Sequence, residues 1–154
     1  MGLVPFIFLD RMKPFSDIPI GELLPQQPPF RFVDSLEEYT AELARIRFTP
    51  EEGKNLLMED GCLSAAGLME HMAQCSAVRQ GYYSKYILHL PVKIGYIGQF
   101  RKLRINCLPK AGETLETTIF LKEVISNITL VDAEVRLGDE LIATASLKSA
   151  LKDD

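Results

Sequence analysis

The sequence predicts an α+β fold in which an antiparallel sheet wraps around one long helix. The first observation is a proline-free stretch, residues 63–87, that is apolar on nearly every side in its first half. The second is a series of four strand-like segments between residues 92 and 151, separated by turn signals. A helix that is apolar all round must be buried, and a sheet folded over it would bury it.

The long helix is predicted from the composition of residues 63–87. At 1.5 Å per residue it would span about 37 Å. Ser64 opens the run and is a preferred N-cap residue. Beyond Arg79 the sequence becomes polar and rich in tyrosine, so we expect this end to approach the surface. The apolar positions of the first half are Leu63, Ala65, Ala66, Leu68, Met69, Met72, Ala73, Cys75, Ala77 and Val78.

Strands are predicted on both sides of this helix. Before it, Ala44, Ile46 and Phe48 alternate with Arg45 and Arg47, which is the pattern of a half-buried strand. After it, the strand-like segments are residues 92–107, 114–125, 128–137 and 141–150, with turns at 109–112, 126–127 and 138–139. Residues 14–29 are rich in proline, so we expect an irregular lead-in with one short helix near residues 18–24.

The composition indicates a globular protein and argues against two kinds of partner. The chain is 47% hydrophobic and 25% charged, which suits one domain with its own core. Its net charge of −4 gives no electrostatic case for binding nucleic acid or an anionic membrane. We expect a domain over residues 20–151 and a docking segment over residues 1–19. The apolar stretch 3–9 is too short to cross a membrane.

The three cysteines indicate a reducing compartment. Cys62, Cys75 and Cys107 are far apart and lie in apolar runs, so we expect free thiols in a cytoplasmic protein. No cysteine or histidine cluster has the spacing of a zinc site, and we expect neither a metal nor a cofactor.

Three stretches resemble the β-hydroxyacyl-ACP dehydratases. Residues 23–34, with the sequence LLPQQPPFRFVD, are similar to that family's leader. Residues 70–74, EHMAQ, are similar to the Glu-x-x-Ala-Gln run on its central helix. Residues 95–101, 108–113 and Leu115 are similar to its third strand and the following turn. The likeness is collinear over residues 20–151.

The resemblance implies a hotdog fold, in which a sheet encloses a central helix and two sheets join edge to edge in a homodimer. It also implies active sites at the dimer interface, with a histidine from one subunit and a carboxylate from the other. The implied substrate is a 3-hydroxyacyl thioester on a phosphopantetheine arm, carried by acyl carrier protein or by CoA. Arg101, Lys102 and Arg104 then either contact an acidic carrier or form a solvated strand face.

The sequence departs from the family pattern at two places. Gln26 stands where the catalytic histidine is expected, and Ser64-Ala65 replaces the proline-glycine pair that opens the central helix. Branches without that pair exist in pigment and aryl-polyene pathways, and the EHMAQ run resembles those branches.

The resemblance assigns Glu70 and Gln26 to the catalytic positions. Dehydration needs a base, an acid for the departing hydroxyl, and donors to the thioester oxygen. Glu70 suits the acid because burial favours a protonated carboxyl; the alternative is a carboxylate tied to an arginine. Gln74, one turn later, either bonds Glu70 or caps a loop. The remaining substrate-binding candidates are Gly95 and the backbone N–H groups of Ala65, Ala66 and Gly67.

Gln26 cannot carry a proton, which leaves three alternatives. His71 or His89 could replace the base, although we expect the first to be packed or on the surface and the second to lie in a loop. Gln26 and Glu70 could act as the amide and carboxylate of a hotdog thioesterase. The chain could also be an acyl-binding subunit that pairs with a histidine-bearing hotdog protein and rebuilds one complete site.

Overall fold

The computed structural model describes residues 14–93 and 95–152, and it contains one six-stranded antiparallel sheet and one long helix. The strands are β1 Ser35–Tyr39, β2 Leu43–Phe48, β3 Met58–Glu59, β4 Cys62–Leu63, β5 Gly95–Ile105, β6 Leu115–Ile125, β7 Ile128–Leu137 and β8 Glu140–Leu151. The sheet order is β1-β2-β6-β7-β8-β5. A separate two-stranded hairpin, β3-β4, precedes the helix.

The central helix α1 spans Ala65–Tyr82 and continues into a π-helical turn, Tyr83–Ile87. The predicted cap is confirmed, because the Ser64 hydroxyl accepts a hydrogen bond of 3.1 Å from the Gly67 N–H. Helix side chains such as Leu68, Met72 and Val78 are fully buried in the core. The end of the helix approaches the surface as predicted, but further along than expected: Arg79, Gly81 and Ser84 are buried, and the chain is exposed from Tyr86 onwards.

The predicted hairpins after the helix are confirmed. Strands β6 and β7 are joined at Ser126 and Asn127, and β7 and β8 at Gly138 and Asp139. Ser126 and Gly138 both have positive φ, as tight turns between twisted strands require. Strand β2 also shows the predicted alternation, with Ala44, Ile46 and Phe48 buried.

The segment before the helix holds one more sheet strand than the sequence predicts. Residues 35–39 form β1, which pairs with β2 and carries a register shift between Leu36 and Glu38. That irregularity breaks the two-residue period, and only Leu36 in the strand is fully buried. The alternation of apolar and polar residues that would indicate a strand is therefore absent from the sequence of β1.

The proline-rich lead-in packs into the core. It forms two single 3₁₀ turns, Phe15–Asp17 and Ile20–Glu22, and the second lies within the range predicted for a short helix. Leu23 and Leu24 behind them are almost fully buried. Of the predicted docking segment, residues 1–13 lie outside the described residues. Within 14–93 and 95–152, no helix is both long and apolar enough to cross a membrane.

Gly81 allows the lead-in to cross the helix at close range. A Cβ atom at this position would lie 2.2 Å from the Leu23 carbonyl oxygen, which is main chain and cannot rotate away. We expect Gly81→Ala to lower the free energy of unfolding by about 1–3 kcal/mol, although alanine is the better helix former. Urea denaturation measures this change. Gly98→Ala is the control, since its nearest contact is an ordinary 3.7 Å; equal stability of the two variants would contradict the close crossing.

Candidate active site

A cavity of about 470 Å³ lies between the lead-in, α1 and strands β5 and β8. Its wall brings together five of the predicted site residues, namely Gln26, Ala66, Glu70, Gln74 and Gly95. Much of the wall is apolar and includes Met69, Ala73, Ala77, Ile97 and Phe100. The helical members recur every three or four positions, so one face of α1 forms one side of the cavity.

Glu70 is the carboxylate of this cavity, and Gln74 holds it in place. The Gln74 Nε2 donates to Glu70 Oε1 at 2.9 Å and to the Phe30 carbonyl at 2.8 Å. The Gln74 Oε1 accepts from the Phe32 N–H at 2.7 Å. Gln74 therefore has both of the roles predicted as alternatives: its buried amide bonds Glu70, and it also caps the loop at Phe30 and Phe32. Glu70 is half-buried, and among the described residues no cation is within ion-pair distance of it.

Gln26 presents an unused acceptor beside the cavity. Its Oε1 atom is buried and receives no hydrogen bond from the described residues. Its main-chain carbonyl accepts from the Arg31 Nε at 2.9 Å, which fixes the backbone at this point. A buried acceptor without a donor is unfavourable by roughly 1–3 kcal/mol. A ligand or water that supplies an N–H or O–H would remove that cost.

The structure places Gln26 and Glu70 on the cavity of one chain. The resemblance implied that these two positions face each other across a subunit interface. In the folded chain the lead-in lies along α1 and carries Gln26 to the same wall as Glu70. The amide and the carboxylate therefore share a cavity without a second chain.

The start of α1 contributes fewer backbone N–H donors to the cavity than the sequence predicted. Ala66 lines the cavity, whereas Ala65 is exposed and Gly67 is buried, and neither belongs to the cavity wall. The Gly67 N–H is already bonded to the Ser64 hydroxyl, so it cannot also donate to a thioester oxygen. Of the three predicted backbone donors, only Ala66 borders the cavity.

Neither histidine of the chain reaches the cavity. His71 is completely buried on the sheet side of α1, where its ring stacks on Phe48. Its Nδ1 donates to the Phe32 carbonyl at 2.6 Å, so its Nε2 accepts from the Thr117 hydroxyl at 2.7 Å. Burial lowers the pKa of His71 to about 4. His89 is exposed in the loop after the π-helical turn, with a φ of 55°.

A family model described as ApeP-like, ApeP dehydratase, matches residues 18–154. The chain belongs to the ApeP-like dehydratase family. The dehydratase resemblance drawn from residues 23–34 and 70–74 is thereby confirmed. No curated protein sequence gives a significant match.

Solved structures share the fold of this ApeP-like chain at low identity. A chain of the dehydratase heterocomplex ApeI:P from Xenorhabdus doucetiae is 17% identical, with a TM-score of 0.80 over 89% of this chain and 93% of that one. The uncharacterized protein PH1136 from Pyrococcus horikoshii is 13% identical, with a TM-score of 0.63 over 89% and 96%. The smu.793 protein of Streptococcus mutans, solved with acetyl CoA, is 12% identical, with a TM-score of 0.61 over 80% and 90%. The predicted hotdog fold is confirmed.

The ApeP-like chain also contains a cysteine and a histidine in contact, but they lie in the core. The Cys75 Sγ is 3.5 Å from the His71 Nε2, an arrangement that the helical spacing of four residues produces. Both side chains are completely buried. Burial raises the pKa of the Cys75 thiol and lowers that of His71, so a thiolate-imidazolium pair is disfavoured. This pair contributes to packing and does not form a nucleophilic site.

Five polar residues of the cavity wall were not predicted, namely Ser76, Gln80, Lys93, Tyr96 and Ser149. Gln80 lies further along the same face of α1, and Lys93 comes from the segment before β5. The helical period from Ala66 through Ala73 would have indicated Gln80. Nothing in the local sequence indicates Lys93, because it follows a proline-containing loop without periodicity.

Proposed function

We propose that this ApeP-like chain supplies the acid of a dehydratase that removes water from a 3-hydroxyacyl thioester. The observation that carries the proposal is an apolar cavity with one carboxylate, Glu70, fixed by Gln74, and with no imidazole on its wall. A carboxyl held in apolar surroundings is suited to protonate a departing hydroxyl group.

The proposed reaction needs one group that this chain does not place in the cavity. A base takes the proton from the α-carbon, the bond between the β-carbon and its hydroxyl breaks, and the Glu70 carboxyl gives its proton to that hydroxyl. Water and an enoyl thioester leave. The proton on the base then returns to the Glu70 carboxylate through water. Gln26 cannot serve as the base, because an amide does not titrate near neutral pH.

We propose that the base is a histidine of a second hotdog chain. Strand β5 supports this assembly, because it is a long edge strand that is exposed along most of its length. Gly95, Tyr96, Ile97 and Phe100 of that strand also line the cavity. A chain that pairs with this edge would therefore come close to Glu70. The solved relative from Xenorhabdus doucetiae is a dehydratase heterocomplex, which agrees with a partner of this kind.

Gln26 has a binding role in this proposal. Its buried Oε1 lacks a donor, so it can accept a hydrogen bond from the substrate hydroxyl or from an amide N–H of a phosphopantetheine arm. We place the thioester on acyl carrier protein rather than on CoA, with the exposed Arg101, Lys102 and Arg104 of β5 as contacts for an acidic carrier. The three free thiols support the cytoplasm as the location.

The purified chain, alone and mixed with a histidine-bearing hotdog protein, tests the proposal. Each sample receives a 3-hydroxyacyl thioester on carrier protein or CoA, and both enoyl formation and thiol release are followed. We expect enoyl product only in the mixed sample and faster turnover with the carrier. Enoyl product at the same rate without the partner would contradict the shared site.

Thioester hydrolysis is a second candidate, because Gln26 and Glu70 share the cavity of a single chain. In that reaction the Glu70 carboxylate activates water while the Gln26 amide orients it. Release of free thiol by the chain alone, without enoyl product, would favour hydrolysis over dehydration.

Restoring the family's histidine provides a further prediction. We expect Gln26→His to raise the dehydration rate of the chain without a partner by at least ~10-fold, since a positioned base typically contributes 10²–10⁴-fold. Enoyl formation from a 3-hydroxyacyl thioester measures the gain. Gln27→His is the matched control, because Gln27 is exposed and does not line the cavity. An equal rate in both variants would show that a histidine at position 26 cannot act as the base in this cavity.

A further inference from the structure

A second cavity, of about 550 Å³, adjoins the first near the end of α1. The two cavities share three wall residues, Gln80, Lys93 and Leu151. The second one lies between the helix end, the π-helical turn and strands β6 and β7, and most of its wall is apolar. Because the cavities adjoin, one extended ligand can occupy both.

The charges on the second cavity all have one sign. Arg79 and Lys93 line it, whereas no aspartate or glutamate among the described residues does. The pKa of Tyr39, another wall residue, is raised by burial, so its phenol supplies no negative charge at neutral pH. The described wall of the cavity therefore carries positive charge only, among largely apolar surroundings.

Arg79 is the buried cation of this cavity. The residue is 5% exposed, and no described carboxylate lies within ion-pair distance of it. Its Nη1 donates to Gln80 Oε1 at 3.3 Å, and its other N–H donors have no acceptor among the described residues. Arginine is rarely buried without a partner, and a planar guanidinium matches a carboxylate with two parallel hydrogen bonds.

We propose that the second cavity binds a carboxylate at the end of an apolar chain, with Arg79 as its counter-ion. Arg79 lies nine residues beyond Glu70, roughly 14 Å along the helix and on its opposite side. A chain whose thioester sits at Glu70 would pass Gln80, which lines both cavities, to bring its far end to Arg79. The carboxylate could belong to the far end of an acyl thioester, and that assignment rests on the proposed function. A free fatty acid presents the same carboxylate and is the second candidate ligand.

Binding to the full chain, measured by calorimetry, tests the proposal without any turnover. The first pair of probes is decanoate and 1-decanol. The second pair is two N-acetylcysteamine thioesters of sixteen carbons, long enough to extend from Glu70 past Gln80, one ending in a carboxylate and one in a methyl group. We expect the carboxylate member of each pair to bind at least ~10-fold more tightly, as a charge-assisted hydrogen bond predicts. Equal affinity within both pairs would overturn the proposal.

Variants at Arg79 locate the site. Arg79→Met should remove the preference for carboxylate, and Arg79→Lys should keep part of it. Arg45→Met is the control, since Arg45 is an exposed arginine paired with Glu38 and does not line the second cavity. A preference that survives Arg79→Met would overturn the assignment. If Arg79→Met does not fold, as judged by circular dichroism, the probe pairs on the unmodified chain still test whether the protein prefers a carboxylate.

The two probe pairs separate this proposal from the dehydratase proposal. A preference in both pairs supports a carboxylate at the far end of an acyl substrate. A preference for decanoate alone supports the carboxylate site but overturns its assignment to the substrate tail. A chain that binds carboxylates yet never forms enoyl product would retain this inference while the proposed function fails.

Discussion

Replacing Glu70 with glutamine is expected to lower the rate of enoyl formation by about 10²–10⁴-fold in the complex with a histidine-bearing partner. Glutamine keeps the size of the side chain, and its carbonyl oxygen can still accept the hydrogen bond from Gln74 Nε2. The carboxyl proton is lost, so the leaving hydroxyl group must depart without an acid. The kcat for enoyl formation measures the loss.

Stability and a second glutamate provide the controls for this experiment. The melting temperature of Glu70→Gln should match that of the unmodified chain, since Glu70 forms no ion pair among the described residues. Glu52→Gln, at an exposed position outside the cavity, should leave kcat unchanged. Full activity of Glu70→Gln would remove Glu70 from the proposed mechanism.

The buried His71 is expected to make the protein less stable as the pH falls. Its pKa is about 4 in the folded chain, against an ordinary value of 6.5 that applies to the unfolded chain. Below pH 6.5 the unfolded chain therefore binds a proton that the folded chain does not, until the pH reaches about 4. The free energy of unfolding should fall by about 2 kcal/mol between pH 7 and pH 5, and by roughly 3 kcal/mol over the whole window.

Urea denaturation at the two pH values measures this effect. His71→Gln should remove most of the difference between pH 7 and pH 5, because the titrating group is gone. It should also lower the stability at pH 7 by roughly 1–3 kcal/mol, because the bonds to Phe32 and Thr117 are disturbed. His89→Gln should keep the pH dependence, since His89 is exposed. An identical pH dependence in both variants would assign the effect to other groups.

Local signals in the sequence predicted most of the fold. The cap at Ser64, the turns at residues 126–127 and 138–139, and the alternation of residues 44–48 each depend on neighbours within a few positions. Strand β1 was missed because its bulge and edge position remove the two-residue period. The burial of Arg79 was also missed, since a basic residue followed by tyrosines has the composition of an exposed helix end.

The candidate site could be predicted only where its parts are close in sequence. Glu70 and Gln74 are four residues apart on a helix, so their contact follows from helical geometry. Gln74 also bonds to Phe30 and Phe32, more than 40 positions away, and no periodicity reports such contacts. The same holds for Gln26, whose place on the cavity that Glu70 also lines depends on the path of the lead-in across α1. The second cavity depends on how the helix end meets the sheet, which the sequence does not encode locally.

The three hydrogen bonds of Gln74 preorganise the part of the proposed site that this chain supplies. One amide connects the loop that follows Gln26 to the carboxylate of Glu70, so the two functional side chains belong to one rigid unit. Folding of the chain alone then fixes their relative positions before any partner arrives. Association with a second chain would not have to supply the conformational entropy of ordering them. The binding free energy of the partner would remain available for positioning the group that this chain lacks.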